Sequence, residues 1–380
     1  MGPATGGESQ LTAALTERIT NGDAIDFERE ALSVFAYQFA RNVPYRRYCE
    51  RRDRTPATVT HWRDIPAVST TAFKVVDLVC GPPERVFQTS GTTRGATMRG
   101  RHGVPSLALY RAAALAHFAT CVAPDGMRGP VMALAPAATD RPESSLAQMI
   151  EWIGAAYGHG SATWYVGPGG LDEQRLRQEL AAAAAAGTPV YLIGITQAFE
   201  NLFARWRSTG TTVRLPYGSR IIDTGGHKSV GNGTPARPLS RPGFVAACWR
   251  FLNVPGYHCI NEYGMTELCS QLYDNVLRER VAGRLVPRYL IAPRWMRTVV
   301  VDPETLEESP RGSVGLLCHY DLANCGSVLA VQTEDLGVAV DEGIELRGRL
   351  RGAEPRGCAL LLEQLASANA DSDLSPSRTL

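Results

Sequence analysis

Apolar and polar positions change period several times along the chain, and each change marks an element. Residues 1–10 are polar and glycine-rich, the composition of a frayed end. Residues 11–48 carry a helical stripe of Ala31, Val34, Phe35, Tyr37 and Phe39, which Pro44 is expected to end. Residues 53–72, with Pro56, Ile65, Pro66 and Val68, predict a loop and a short extended piece. Residues 86–88 predict a strand running into a polar turn at 89–95. Helices then alternate with strands: helices over 106–122, 144–157, 171–186 and 197–208, strands over 130–135, 163–166, 190–195 and 220–223. Gly187 follows the alanine run where a helix usually stops. Alternation at this spacing predicts β-α-β units and a largely parallel sheet. A Gly- and Pro-rich loop over 231–243 precedes a helix over 244–252 and a strand over 258–260. Beyond Tyr289, short valine-rich pieces over 298–301, 314–320, 327–333 and 343–347 predict an antiparallel region. A turn-rich block over 348–358, a short apolar helix over 359–365 and a polar tail follow.

Composition narrows the function classes. The chain has 380 residues, and 39 Lys and Arg balance 38 Asp and Glu. A net charge of +1 argues against a nucleic-acid or anionic-membrane surface, which needs a basic excess. No apolar run reaches the roughly 18–20 residues of a membrane span. The first residues lack a basic stretch followed by an apolar one, so the cytoplasm is the expected compartment. Nine cysteines at irregular spacing include no C-x-x-C pair, which excludes a zinc ribbon or redox dithiol motif. Lys74 and Lys228 are the only lysines. A lysine kept in an arginine-rich chain suits a compact point charge, although a chance remnant fits as well.

Four segments carry candidate chemistry. Thr89, Ser90, Gly91, Thr92, Thr93, Arg94 and Gly95 follow a strand, and their hydroxyls and backbone N–H groups suit a polyphosphate. The run is not a Walker A loop, and alone it also reads as a plain turn. Thr224, Gly225, Gly226, His227 and Lys228 form a Gly-Gly turn on which a flat base can lie. In Tyr263-Gly264-Met265-Thr266-Glu267, the ring suits stacking on a base, the hydroxyl a phosphate and the carboxylate Mg²⁺. A polar helix start is the bland alternative. Asp335 suits ribose hydroxyls, and Gly348-Arg349 adds a cation for a ribose or phosphate oxygen. Neither a G-x-S-x-G elbow nor a G-x-G-x-x-G fingerprint is present, which disfavours a hydrolase and a dehydrogenase.

In order and rough spacing over residues 85–350, these segments resemble the adenylate-forming superfamily. The resemblance implies an α/β fold: the large N-terminal domain of adenylate-forming enzymes, with parallel-rich sheets, helices and a small antiparallel region. It implies a helical segment over 1–80, a core domain over 81–333 and a short C-terminal remnant over 334–380. By the same resemblance, residues 89–95 match the phosphate loop, and Gly225, Gly226 and His227 line the nucleotide. Tyr263 with Gly264 matches the adenine-stacking position, Thr266 a phosphate ligand and Glu267 the Mg²⁺ ligand. Asp335 matches the ribose carboxylate and Arg349 the hinge-adjacent arginine. Two departures are Arg94 between Thr93 and Gly95, and Glu334 where glycine is usual. The superfamily's late catalytic lysine has no counterpart after Lys228.

The short end is similar to the acyl-protein synthetases of bacterial luminescence operons (LuxE-type). Ile65-Pro66, Phe73-Lys74, Ser144-Ser145-Leu146 and Arg356-Gly357-Cys358 fit that family. The implied reaction activates a carboxylic acid, fatty or other, with ATP and Mg²⁺ to acyl-AMP. Cys358 then takes the acyl group for delivery to a reductase partner. The neighbouring Arg349, Arg351 and Arg356 would favour its thiolate, while a buried structural cysteine is the alternative. Lys228, Lys74 or Arg349 would supply the missing cation, Lys228 being preferred beside the Gly-Gly turn. A second reading passes the acyl group directly to CoA, a carrier protein or an amine.

Overall fold

The computed structural model describes residues 9–89, 99–225 and 239–350. Two compact units emerge: one from residues 1–116, 265–270 and 292–380, the other from 117–264 and 271–291.

The first unit opens with three helices where the apolar stripe suggested one. They are α1 (Gln10–Asn21), α2 (Phe27–Arg41) and α3 (Val43–Glu50). Gly22 ends α1 at φ 74°, and Asp26 restarts the chain by accepting from the Arg29 N–H. Pro44 begins a helix instead of ending one. It lies in the first turn of α3, where a backbone N–H would have had no intrahelical partner. Two buried amides tie this bundle to residues 324–329. Gln38 donates to the Asn324 carbonyl at 3.0 Å and accepts from the Leu329 N–H at 2.9 Å. Asn42 donates to the Ser327 carbonyl at 3.2 Å. The Tyr45 and Tyr48 hydroxyls hold the carbonyls of Pro66 and Ala67, just before β1 (Val68–Ser69). A hairpin of β2 (Arg85–Gln88) and β3 (Arg101–Val104) leads to α4 (Leu107–Cys121).

The second unit alternates as predicted: β4 (Val131–Leu134), α5 (Ser145–Tyr157) and β5 (Ala162–Trp164). A small hairpin, β6 (Val166–Gly167) and β7 (Gly170–Leu171), precedes α6 (Glu173–Ala185), β8 (Tyr191–Ile195) and α7 (Thr196–Thr209). Then come β9 (Arg220–Thr224), α8 (Arg241–Leu252), β10 (Cys259–Tyr263), β11 (Leu272–Asp274), α9 (Val276–Val281) and β12 (Leu290–Ile291). The order β5-β4-β8-β9-β10 is parallel throughout, and β11 and β12 add antiparallel. Strands covered on both faces read as unbroken apolar runs, as β4 and β8 do. One face packs on Phe199, Phe203 and Trp206 of α7 and on Phe244 and Phe251 of α8. Phe203 and Phe251 stack with centroids 5.4 Å apart. The alanine run faces this core through Ala183, beside Leu176 and Leu180. Gly154 allows α5 its close approach to β5, since a Cβ there would lie 2.3 Å from the Ala162 nitrogen.

The first unit closes with an antiparallel meander: β13 (Met296–Val301), β14 (Val314–Asp321), β15 (Ala330–Ala339) and β16 (Ile344–Arg349). β1 adds parallel to β15 at Val331 and Gln332. β15 runs unbroken across residues 333 and 334, where the sequence suggested a domain boundary. Among the described residues no helix is long and apolar enough to cross a membrane.

Phe203→Ala removes a fully buried ring stacked on Phe251 and should cost about 3–5 kcal/mol. Urea unfolding followed by circular dichroism would show the lowered midpoint with an unchanged native spectrum.

Candidate active site

In the second unit, the candidate residues collect at the C-terminal edge of the parallel strands. Ile195 of β8 pairs with Thr224 of β9, and Thr224 pairs with Glu262 of β10. Open α/β sheets bind ligands at this edge, where the strands end and the loops begin. Gly225 leaves β9 exposed at φ 77°, a conformation that favours glycine. The Thr196 hydroxyl lies 3.0 Å from the Gly225 carbonyl and 3.1 Å from Asp223 Oδ2. Asn261 Nδ2 donates to the backbone and side-chain oxygens of Asp223. Asp223 also pairs with Arg241, whose other nitrogen reaches Asp274 at 3.1 Å. Burial pushes the Asp274 carboxyl up, against the pull of Arg241 and Arg288.

Strand β10 continues through Tyr263, three residues beyond the strand over 258–260 that the sequence predicted. Tyr263 is half-buried at its end. Glu262 is buried, and burial pushes its carboxyl up to about 7. The Thr224 hydroxyl donates to Glu262 Oε2, which opposes the shift, while Asp223 reinforces it. Gly264 follows, and a Cβ there would lie 2.4 Å from Glu262 Oε1, so a larger residue would force that carboxyl to move.

In the first unit, residues Met265–Ser270 form a turn, closed by the Leu268 N–H on the Met265 carbonyl, rather than a helix start. Side chains from distant segments hold this turn by its backbone. His102 Nδ1 donates to the Thr266 carbonyl at 2.7 Å, and Asn324 Nδ2 to the Glu267 carbonyl at 2.8 Å. Asp321 accepts from the Cys269 N–H and, at 2.7 Å, from the Ser270 hydroxyl. Trp295 Nε1 donates to the same Ser270 oxygen. Burial pushes His102 down to about 4, so at neutral pH it is uncharged, with its proton on the donating Nδ1.

Asp335 and Arg349 are register partners across β15 and β16. The Arg349 guanidinium nevertheless bonds Glu334, from Nη2 at 2.6 Å and from Nε at 3.0 Å. Burial opposes its charge, but the Glu334 hydrogen bond and the charges of Asp335, Glu334 and Glu267 raise its pKa. Glu267 is itself buried. Carboxylates from two sequence-distant segments, Glu267 and Glu334–Asp335, therefore act on Arg349 here. Thr89 closes the β2–β3 hairpin: its hydroxyl accepts from the Gly100 N–H at 2.9 Å. Ser90, Gly91, Thr92, Thr93, Gly95, Gly226, His227, Lys228 and Cys358 lie outside the described residues. Lys74 is exposed at the end of a 3₁₀ turn over Thr70–Lys74.

Among the described residues, no three His, Cys, Asp or Glu side chains gather as a metal cage. Mg²⁺ in phosphate chemistry is usually held by one or two carboxylates plus phosphate oxygens, a demand that Glu267 fits. The eight described cysteines are buried and free. Burial pushes Cys49, Cys121 and Cys325 up to about 12, so they stay thiols at neutral pH. Sequence reasoning missed Glu262, Asn324 and Asp321, which stand in no chemical motif of their own. His102 follows the phosphate-loop segment, and a lone histidine there reads more readily as a core or surface residue than as a ligand.

The parallel sheet edge and the meander give the chain the fold of the adenylate-forming ligases. It resembles 2-hydroxyisobutyryl-CoA ligase in an open conformation with 2-HIB-AMP and CoA, at a TM-score of 0.61 and 17% identity. That match covers 88% of this chain and 77% of the other. The same enzyme in its postadenylation state with 2-HIB-AMP matches at 0.62 and 16% identity, over 92% and 72% of the chains. In sequence, the chain is similar to the long-chain-fatty-acid–luciferin-component ligase of Vibrio harveyi, 22% identical over 351 residues. That alignment spans 89% of this chain and 87% of the relative. No family model matches. The resemblance to the adenylate-forming superfamily and to LuxE-type synthetases thus holds in fold and along most of the sequence.

Two outcomes follow from the packing. His102→Asn retains a donor near Nδ1, whereas His102→Leu removes it and should cost about 1–3 kcal/mol. The neutral native histidine also makes stability fall as pH drops from about 6.5 towards 4, because only the unfolded chain takes up the proton there. His102→Asn should flatten part of that slope in denaturant titrations across this window. Separately, Gly264→Ala should destabilise by about 1–3 kcal/mol. A double-mutant cycle with Glu262→Ala should recover most of that loss.

Proposed function

We propose that the chain is an AMP-forming acid–thiol ligase of the acyl-protein synthetase kind. The observation that carries this reading is that the carboxylates of Glu267, Glu334 and Asp335 all act on the Arg349 cation. Carboxylates suited to a ribose and to a metal sit there with a cation suited to phosphate. The fold and the sequence likeness to the luciferin-component ligase support it.

In this reading a carboxylic acid attacks the α-phosphorus of ATP, and pyrophosphate leaves. Catalysis then rests on alignment and on neutralising phosphoryl charge. Tyr263 and the Thr224–Gly225 turn bind the base. Asp335 takes the ribose hydroxyls, and Thr266 with residues 89–95 takes phosphate oxygens. Glu267 holds Mg²⁺, which when bound offsets charge on the phosphates. Lys228 steadies the incoming carboxylate, and Arg349 keeps its charge beside Glu334 and Asp335. The Cys358 thiolate then attacks the acyl carbonyl, forming a thioester and releasing AMP. A partner protein takes the acyl group onward. None of the eight described cysteines suits this step, because all are buried.

The test is carboxylate-dependent ATP–pyrophosphate exchange over fatty, aromatic and amino acids, with intact-mass spectra of the same samples. Exchange should occur with one acid class and fall about 100-fold or more in Glu267→Gln. An acyl adduct should appear and vanish in Cys358→Ser. Exchange with no adduct would move the acceptor to CoA or a carrier, and no exchange with any acid would overturn the reading.

A further inference from the structure

Glu262 is a buried carboxyl at the sheet edge that the proposed chemistry leaves unused. Its position is unusual. It lies in register with Thr224 and accepts that residue's hydroxyl, so it bridges the end of β9 to the end of β10. Its other oxygen presses on Gly264, where a Cβ would come within 2.4 Å. The side chain therefore touches both corners that flank Gly225 and Tyr263. We propose that Glu262 is a positioning residue for adenine nucleotide, clamping the Thr224–Gly225 turn to the Tyr263–Gly264 corner. This rests on the nucleotide-binding reading above and adds a residue to it.

The surroundings set the form in which the clamp works. Among the described residues, the hydrogen bond from Thr224 is the one given to Glu262. Asp223 on β9 is the charged neighbour that acts on it, and its sign is repulsive. Arg241 of α8 is engaged by Asp223 and Asp274, and Arg288 by Asp274. A buried anion with a single hydrogen bond and a like charge nearby is unfavourable, whereas a neutral carboxyl fits. The carboxyl, raised by burial to about 7, is thus neutral below that pH and ionises above it. Desolvation is the largest cost of that charge, so the ionised carboxyl is drawn towards water and the clamp loosens although Thr224 bonds the anion more strongly; nucleotide affinity should fall on the alkaline side.

The experiment is AMP binding by calorimetry to the full chain, at pH 6.5 and 8.5, for the wild type, Glu262→Gln and Glu262→Ala. Glutamine imitates the neutral carboxyl. It should match the wild type at pH 6.5 and bind about ten-fold more tightly than it at pH 8.5. Comparing proteins at one pH cancels the ionisation of the AMP phosphate itself. Alanine should be about ten-fold weaker at both pH values. Should Glu262→Ala fail to fold, Thr224→Val supplies the second arm. Losing the hydroxyl removes a bond that favours the anion, so the wild-type midpoint should move to higher pH. A wild-type-to-glutamine ratio that stays flat across this range, or glutamine as weak as alanine at pH 6.5, would overturn the proposal alone. A wild type that binds no AMP would overturn the nucleotide reading and this inference with it.

Discussion

A tight turn cannot satisfy all of its own polar groups, so something else must. In the Met265–Ser270 turn that duty falls to His102, Asn324, Asp321 and Trp295, and the rest of the first unit is arranged to deliver them. His102 comes from the β2–β3 hairpin. Asp321 and Asn324 come from the end of β14 and the 3₁₀ turn beyond it. That turn is gripped in turn by Gln38 and Asn42 of the N-terminal bundle. Each contact buries a polar group against a matched partner, which is the arrangement that fixes one conformation rather than several. The helices at the start of the chain therefore do more than cover a sheet: they set the place of the turn that carries Thr266 and Glu267.

The second unit solves a different problem. Its five parallel strands end at one edge, and the residues just below that edge hold one another. Asp223, Arg241, Asp274 and Arg288 form a buried ionic cluster, with Asn261 bonded to both carboxyl-bearing strands. Such a cluster contributes little net stability, because desolvation offsets attraction. Its effect is to fix how β9, β10 and β11 sit against one another.

Much of this was legible in the sequence, and the failures share a cause. Strands covered on both faces appear as apolar runs between glycines and prolines, so β4, β8 and β9 could be read directly. The meander was legible from its valines. The short strands β3, β7, β11 and β12 were not, since two to four residues hold no period and exist only through their partners. Pro44 was misread because an apolar stripe says nothing of where the backbone restarts, and Asn42 settles that by capping α3. In the site, glycines, hydroxyls and carboxylates in order pointed to the right segments. Nothing in the sequence marks Glu262, since only burial and the neighbouring Asp223 raise its carboxyl. His102 and Thr266 are 164 residues apart, and no local pattern announces their bond.

The buried cysteines have a practical side. Eight thiols are buried inside the two units, out of reach of solvent, and burial pushes Cys49, Cys121 and Cys325 up to about 12, where almost no thiolate exists at neutral pH. They are correspondingly slow targets for alkylating agents and mild oxidants. In the folded protein the background to a thiol-directed dye is therefore close to silent. Any rapid stoichiometric labelling of native chain identifies a ninth sulfur, without a single cysteine having to be engineered away.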